Sequence, residues 1–134
     1  MVQDLILRVH MKSSHAFPNK GQIIVFDLEE KVIGYAILVW VWTNEFGKDI
    51  LWIDEIVVDK NYRGLGIGKR FFDWLQLFFG ESPAFSLLVS EYNHKAKKLY
   101  QEIGFKPVQT QMLKVNNVID INKRTNTKEA VLAI

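Results

Sequence analysis

The spacing of apolar residues divides the first half of the chain into one helical and three extended segments. In the first dozen residues the apolar positions recur at helical spacing, which predicts an amphipathic helix followed by a polar loop. The segments 22–28, 32–42 and 50–58 are rich in β-branched and aromatic residues, so each is predicted to be a strand. Their short polar connections predict an antiparallel meander.

The second half of the chain is predicted to contain the main helix and several short elements. Residues 64–79 form that helix, and Gly80 ends it. Its polar stripe is narrow (Lys69, Asp73, Gln76), so the wide apolar surface is predicted to pack on the sheet, with a second subunit as the alternative cover. A strand at 85–89, a capped helix, another strand and a hairpin over 111–121 follow, before a polar C-terminal tail at about 122–134.

The composition is that of one compact domain. The chain has 134 residues, 49% of them hydrophobic, which is enough to bury a single core. The elements predict a single α+β or α/β domain over residues 1–134. The absence of cysteine excludes disulfides, thiolate metal sites and a cysteine-linked acyl-enzyme. The histidines lack metal-ligand spacing, so no metal is predicted.

Charge and hydropathy exclude several classes of partner. The net charge of +2 is too small, and the basic residues too scattered, to predict nucleic-acid binding. The longest apolar run, 32–42, is too short to span a bilayer, so no membrane association is predicted. Asp4 and Arg8 interrupt the apolar stretch near the N-terminus, which disfavours a signal peptide. The expected location is the cytoplasm.

A glycine-rich turn joins the third predicted strand to the main helix. It reads Arg63-Gly64-Leu65-Gly66-Ile67-Gly68. Glycines let the backbone approach a ligand closely, and a helix N-terminus attracts anions, so the turn predicts a phosphate cradle. Three residues between Gly64 and Gly68 are too few for a Walker loop, and Lys69 replaces the third glycine of a dinucleotide fingerprint. A purely structural turn is the alternative.

The second constellation is a short capped helix after the strand at 85–89. Asn93 is a good N-cap, and Gly104 suits the position just after the helix. Tyr100 falls on the apolar face between them and is predicted to point inward. Two interpretations stand: Asn93 is only a cap and Tyr100 only a core aromatic, or both belong to a site.

Together the two segments, within residues 51–107, resemble the GNAT superfamily of acetyl-CoA-dependent N-acetyltransferases. The family's Arg-x-x-Gly-x-Gly turn, which holds the coenzyme A pyrophosphate, matches Arg63, Gly66 and Gly68. Its later helix pattern matches Asn93, Ala96, Leu99, Tyr100, Gly104 and Phe105. The resemblance implies an α+β fold of the α/β three-layer type, in which helices flank a GNAT-like mixed, mainly antiparallel central sheet. It also implies acetyl-CoA as co-substrate. The implied cofactor-binding residues are Ile56, Val57, Val58, Arg63, Gly64, Leu65, Gly66, Ile67, Gly68, Lys69, Asn93 and Lys97, the first three pairing with the pantetheine arm through their backbone.

The resemblance also implies direct transfer of the acetyl group to a primary amine. The family tyrosine that matches Tyr100 protonates the departing thiolate, and a base must take the proton of the amine. Asp54 and Glu55 are adjacent on a strand and are expected to point to opposite faces, so one of them is expected to reach the acceptor. The sequence leaves open which one.

The acceptor is suggested by the acidic segment 43–49, which resembles the loop of polyamine and small-amine acetyltransferases. Glu45, Asp49, Asp54 and Glu55 would complement a small cationic amine, with ordinary surface acids as the alternative.

The N-terminal prediction departs from the family and leaves a second functional reading open. GNAT chains usually open with a strand and two helices, whereas a single helix is predicted here. A protein without that front end could be an acyl-CoA-binding sensor or assembly module with little turnover. The missing first strand would also leave a sheet edge open, and the C-terminal hydrophobic segment, its own or that of a partner in a homodimer, is expected to cover that edge.

Overall fold

The computed structural model describes residues 4–12, 21–108, 112–114 and 116, and these form a five-stranded sheet with two helices. The strands lie in chain order: β1 (Leu5–Lys12), β2 (Gly21–Leu28), β3 (Lys31–Thr43), β4 (Lys48–Val58) and β5 (Phe85–Leu87). The helices are α1 (Ile67–Phe79) and α2 (His94–Ile103), and a 3₁₀ turn, Lys60–Tyr62, follows β4. Neighbours from β1 to β4 are antiparallel, and β5 is parallel to β4. The predicted mixed, mainly antiparallel sheet is confirmed.

The N-terminal segment is a strand, so the predicted amphipathic helix is wrong. Leu5 and Leu7 pack in the core while Ile6 between them is 59% exposed, which is the alternation of a half-buried strand. The apolar residues of this segment also fit helical spacing. The segment forms a strand because it pairs with the edge of β2, where Leu5 lies opposite Leu28. The first strand that the sequence prediction left out is therefore β1.

The core lies between one face of the sheet and the two helices. Phe26 of β2 contacts Phe71 of α1, with ring centroids 5.2 Å apart. The ring of Tyr100 on α2 contacts Phe72 of α1 at 5.7 Å. The other large side chains that are fully buried are aliphatic: Ile24, Ile33, Leu38, Leu51 and Leu75. In the described part of the chain, both helices lie on this face, and no helix covers the opposite face of the sheet.

Helix α1 is shorter and less completely buried than predicted. It begins at Ile67 because Gly64 and Gly66, with φ of 76° and 84°, lie outside the right-handed helical region. Leu77 and Phe78 are 78% and 63% exposed, so the prediction that all its aromatic and leucine side chains are buried is wrong. Leu77 lies about 200° around the helix from buried Leu75 and therefore faces away from the sheet.

The chain after α1 also differs in detail from its prediction. β5 ends at Leu87, before the predicted end at Val89. Residues 105–108 form no strand, since Pro107 has no N–H to donate to a ladder. The predicted hairpin over 111–121 and the polar tail lie almost entirely outside the described residues.

Candidate active site

Strands β4 and β5 separate in the middle of β4. Their parallel pairing ends at Ile53 and Leu87. β4 continues to Val58, still paired with β3, but no other described strand lies along its outer side there. We call this gap the β4–β5 cleft. A strand edge with unpaired N–H and C=O groups can bond an extended ligand as if it were a further strand.

Backbone alternation shows which groups of β4 face the cleft. The N–H of Asp59 donates to the carbonyl of Ile33 on β3 at 2.7 Å. The peptide groups of Val57 therefore also point toward β3, and those of Ile56 and Val58 point into the cleft. Within the predicted contact segment 56–58, the cleft-facing groups thus belong to Ile56 and Val58.

A β-bulge lies where the cleft begins. Ile37 pairs with Glu55 but Leu38 pairs with Ile53, so Asp54 is an extra residue on β4. Because of the extra residue, the next buried position of β4 after Ile53 is Ile56. Neither Asp54 nor Glu55 points into the core. The expectation that Asp54 and Glu55 point to opposite faces is wrong, because the extra residue places both on the side of the sheet away from the helices.

Glu55 is held by a tyrosine that the sequence did not single out. The hydroxyl of Tyr35 on β3 donates a hydrogen bond to Glu55 Oε1 at 2.7 Å. This hydrogen bond, with burial and the charge of Glu55, raises the pKa of Tyr35 to about 12. Tyr35 therefore remains a protonated donor at neutral pH and orients the Glu55 carboxylate.

The glycine-rich turn forms an open backbone cradle at the start of α1. Gly64 and Gly66 need glycine for their positive φ, and a Cβ added at either would meet nothing within 4 Å. Gly66 is the N-cap of α1 and makes no side-chain hydrogen bond to the first-turn N–H groups, which are free to attract an anion. Of the other predicted cradle residues, Arg63, Leu65 and Lys69 are exposed, and Ile67 is buried in the core.

Two side chains fix the connection from β4 to this cradle. Asp59 Oδ1 accepts a hydrogen bond from the N–H of Asn61 at 2.9 Å and caps the 3₁₀ turn. Arg63 Nε donates to the carbonyl of Val58 at 2.9 Å. Arg63, predicted to bind pyrophosphate, therefore also ties the turn to the end of β4.

Helix α2 begins and ends at the predicted residues. Asn93 Oδ1 accepts a hydrogen bond from the N–H of Ala96 at 3.2 Å, so Asn93 is the N-cap. Gly104 has a φ of 121°, and its N–H bonds the carbonyl of Tyr100 at 3.1 Å. Lys97 lies half-buried in the first turn of α2.

The two sequence motifs meet at the first turn of α1. A Cβ at Gly68 would lie 3.0 Å from Leu99 Cδ2, so the missing side chain lets α2 pack closely there. One turn further along α1, Phe72 contacts the rings of Tyr100 at 5.7 Å and Phe105 at 5.5 Å. The fold therefore brings Tyr100 close to the glycine cradle.

Tyr100 is almost completely buried, with 3% of its surface exposed. Burial raises its pKa to about 12, because an apolar environment disfavours the charged phenolate. Tyr100 therefore carries its proton at neutral pH and can act only as a proton donor there.

A shallow concavity lies beside the bulge, on the sheet face opposite the helices. Its volume is about 330 Å³, and it is lined by Val39, Val41, Trp52 and Asp54. Asp54 is the only acid of segment 43–55 that lines it. Sequence reasoning did not identify the three apolar residues, because only the pairing of β3 with β4 brings them together.

In the ranges that the structure describes, no group of three or more His, Cys, Asp or Glu side chains is placed to hold a metal ion. Within those same ranges, no helix is both long and apolar enough to cross a membrane.

Comparisons with known proteins support the same fold. The model of the Acetyltransferase (GNAT) family matches residues 4–105. No protein of the curated set matches the sequence significantly. An aminoglycoside acetyltransferase from an uncultured soil metagenomic sample is 19% identical, with a TM-score of 0.63 over 75% of this chain and 67% of that chain.

Two further solved structures are similar. The ribosomal-protein-alanine N-acetyltransferase of Brucella melitensis biovar Abortus 2308 is 18% identical, with a TM-score of 0.60 over 72% of this chain and 73% of that chain. AAC(6')-Iy, in complex with the bisubstrate analogue CoA-S-monomethyl-acetylneamine, is 15% identical, with a TM-score of 0.63 over 74% of this chain and 71% of that chain. At these identities the structural likeness establishes the fold, whereas the family model covers most of the sequence. The chain therefore belongs to the GNAT family of acetyltransferases, which transfer the acetyl group of acetyl-CoA to amines.

Proposed function

We propose that this protein transfers the acetyl group of acetyl-CoA directly to a small, cationic primary amine. The observation that carries the proposal is that the glycine cradle follows directly on the unpaired edge of β4. Tyr100 packs on Phe72 of α1, one turn beyond the first turn of that helix. The cradle suits the pyrophosphate of coenzyme A. Lys69 and Lys97 lie near the starts of α1 and α2. The backbone groups of Ile56 and the N–H of Val58 suit the pantetheine arm, whereas the carbonyl of Val58 is bonded by Arg63.

The acids and Tyr100 can divide the proton transfers between them. The ammonium form of the acceptor first loses one proton to solvent through Glu55. The free amine nitrogen then attacks the thioester carbonyl carbon, and Glu55 accepts the second proton that the nitrogen loses. The carbon–sulfur bond breaks, and the thiolate takes the hydroxyl proton of Tyr100, which solvent then replaces. We assign the base to Glu55 because Tyr35 orients its carboxylate at 2.7 Å, and we assign exposed Asp54 to binding the ammonium form of the acceptor.

The experiment that tests this function follows release of the coenzyme A thiol from acetyl-CoA with a panel of primary amines, and measures coenzyme A affinity in parallel. We expect turnover with at least one small amine and saturable coenzyme A binding. Binding without turnover on any amine would contradict the enzyme and support the sensor interpretation. A protein that binds no coenzyme A would contradict both.

The cradle predicts a specific effect of one methyl group. Gly66→Ala places a Cβ in the open space above the helix N-terminus at a φ of 84°, so we expect coenzyme A affinity to fall by about tenfold or more. Gly47→Ala is the matched control, since Gly47 also has a positive φ, 60°, and open space around it, but lies in the β3–β4 turn. Equal loss of affinity in both variants would mean that strain alone is responsible. Titration calorimetry with coenzyme A checks this.

A further inference from the structure

The concavity beside the bulge has a defined place relative to the β4–β5 cleft. Val39 of β3 pairs with Trp52 of β4. Ile50, two residues before Trp52, pairs with Val41. Glu55, opposite Ile37, is the next position on this face in the direction of the cleft. A molecule in the concavity would therefore present one end to Asp54 and Glu55, at the point where the cleft begins.

The lining of the concavity is apolar apart from one carboxylate. Val39, Val41 and the indole of Trp52 form its walls, and Asp54 supplies the only charge. Its volume of about 330 Å³ is at the small end of the range for ligand pockets. These walls fit a compact apolar group, and Asp54 fits one ammonium.

The charges around the concavity do not suit a polycation. The ring of Trp40 contacts Phe79 of α1 at a centroid distance of 5.9 Å, so Trp40 faces the helices. Trp42, two residues further along β3, pairs with Asp49 of β4. Residues two apart on a strand share a face, so Asp49 points to the helix side of the sheet, away from the concavity. At the far end of the concavity face, Lys48 pairs with Thr43. A second ammonium extending along β3 and β4 would approach the Lys48 ammonium rather than a carboxylate.

We propose that the acceptor is a small monoamine with an apolar body, an arylalkylamine or a short alkylamine, whose apolar group packs on Trp52 and whose amine lies between Asp54 and Glu55. The inference rests on the proposed acetyl transfer and narrows its substrate class. It replaces charge complementarity over the whole acidic segment with the adjacent carboxylates of Asp54 and Glu55 and an apolar wall.

The test compares kcat/KM for 2-phenylethylamine with that for putrescine, spermidine, kanamycin and an alanyl peptide. We expect 2-phenylethylamine to exceed each of them by about tenfold or more, because its ring can pack on Trp52 and a difference in apolar contact discriminates by roughly that factor. Trp52→Ala should lower kcat/KM for 2-phenylethylamine by about 10- to 100-fold, mostly through KM, and should barely change that for methylamine. Trp42→Ala, which removes an exposed indole on the opposite face, is the matched control and should change neither value.

The outcomes separate this inference from the function on which it rests. Turnover that favours putrescine, spermidine, kanamycin or the peptide would overturn the inference and leave acetyl transfer standing. An equal loss on methylamine and 2-phenylethylamine in Trp52→Ala, with unchanged coenzyme A affinity, would also overturn it. If Trp52→Ala loses coenzyme A binding through misfolding, Trp52→Phe is measured instead, and an unchanged preference for 2-phenylethylamine over putrescine is expected. A wild-type protein with no turnover on any amine would remove the proposed function and the inference together.

Discussion

Replacing Glu55 with glutamine is expected to lower kcat by about 10²- to 10⁴-fold, the usual contribution of a positioned general base. Glutamine keeps the size of the side chain and can still accept the hydrogen bond that Tyr35 donates at 2.7 Å, so the fold should be preserved. Coenzyme A affinity should stay within about twofold of wild type, because the cradle lies at the opposite end of the cleft. Initial rates at saturating amine and acetyl-CoA, with a parallel binding titration, measure both quantities.

Three companion variants make the Glu55 result specific. Glu81→Gln removes an exposed carboxylate in the α1–β5 connection and should leave kcat unchanged. Asp54→Asn should raise KM for the amine more than it lowers kcat, because Asp54 is assigned to binding. Tyr35→Phe should lower kcat by roughly 3- to 10-fold, the effect of losing one orienting hydrogen bond. Full kcat in Glu55→Gln, or a larger kcat loss in Asp54→Asn, would contradict Glu55 as the base.

Replacing Tyr100 with phenylalanine is expected to lower kcat by about 10²-fold or more and to leave coenzyme A affinity intact. The ring contacts with Phe72 and Phe105 are retained, so only the proton donor is lost. Tyr92→Phe is the matched control, since Tyr92 is 87% exposed in the turn before α2. A Tyr100→Phe enzyme with wild-type kcat would remove Tyr100 from the chemistry and leave it a core aromatic.

Tyr100 also predicts how stability depends on pH. Its pKa is about 12 in the folded protein, above the ordinary value of 10.0, because burial disfavours the phenolate. The stabilisation is therefore fully present below pH 10 and is lost as pH rises through 12. A shift of this size corresponds to about 2–3 kcal/mol of the free energy of unfolding. Urea unfolding from pH 9 to 12 should show wild type losing this much more than Tyr100→Phe, and parallel losses would contradict the burial of the hydroxyl.

Local sequence signals were sufficient for the parts of the site that depend on backbone conformation. Gly64, Gly66 and Gly104 all have positive φ, and the sequence around each predicted a turn or a helix end. Asn93 was predictable as an N-cap because its partner, Ala96, is three residues away. Such features can be read from the sequence since both partners lie within one turn of chain.

Features set by strand pairing could not be predicted in the same way. The contact between Tyr35 and Glu55 joins residues twenty apart and depends on the register of β3 and β4. The bulge at Asp54 has no sequence signature, yet it decides the face on which both acids lie. The N-terminal segment was predicted to be a helix because its few apolar residues fit both the helical and the strand spacing. Only pairing with the open edge of β2 makes it a strand.

We propose that acetyl-CoA and a small amine react together in the β4–β5 cleft. The most direct measurement quantifies free coenzyme A and N-acetylated 2-phenylethylamine in the same reaction by mass spectrometry, for wild type and Glu55→Gln. We expect equal amounts of the two products from wild type and a rate at least about 10²-fold lower from the variant. Free coenzyme A without any acetylated amine, or equal rates from both proteins, would contradict it.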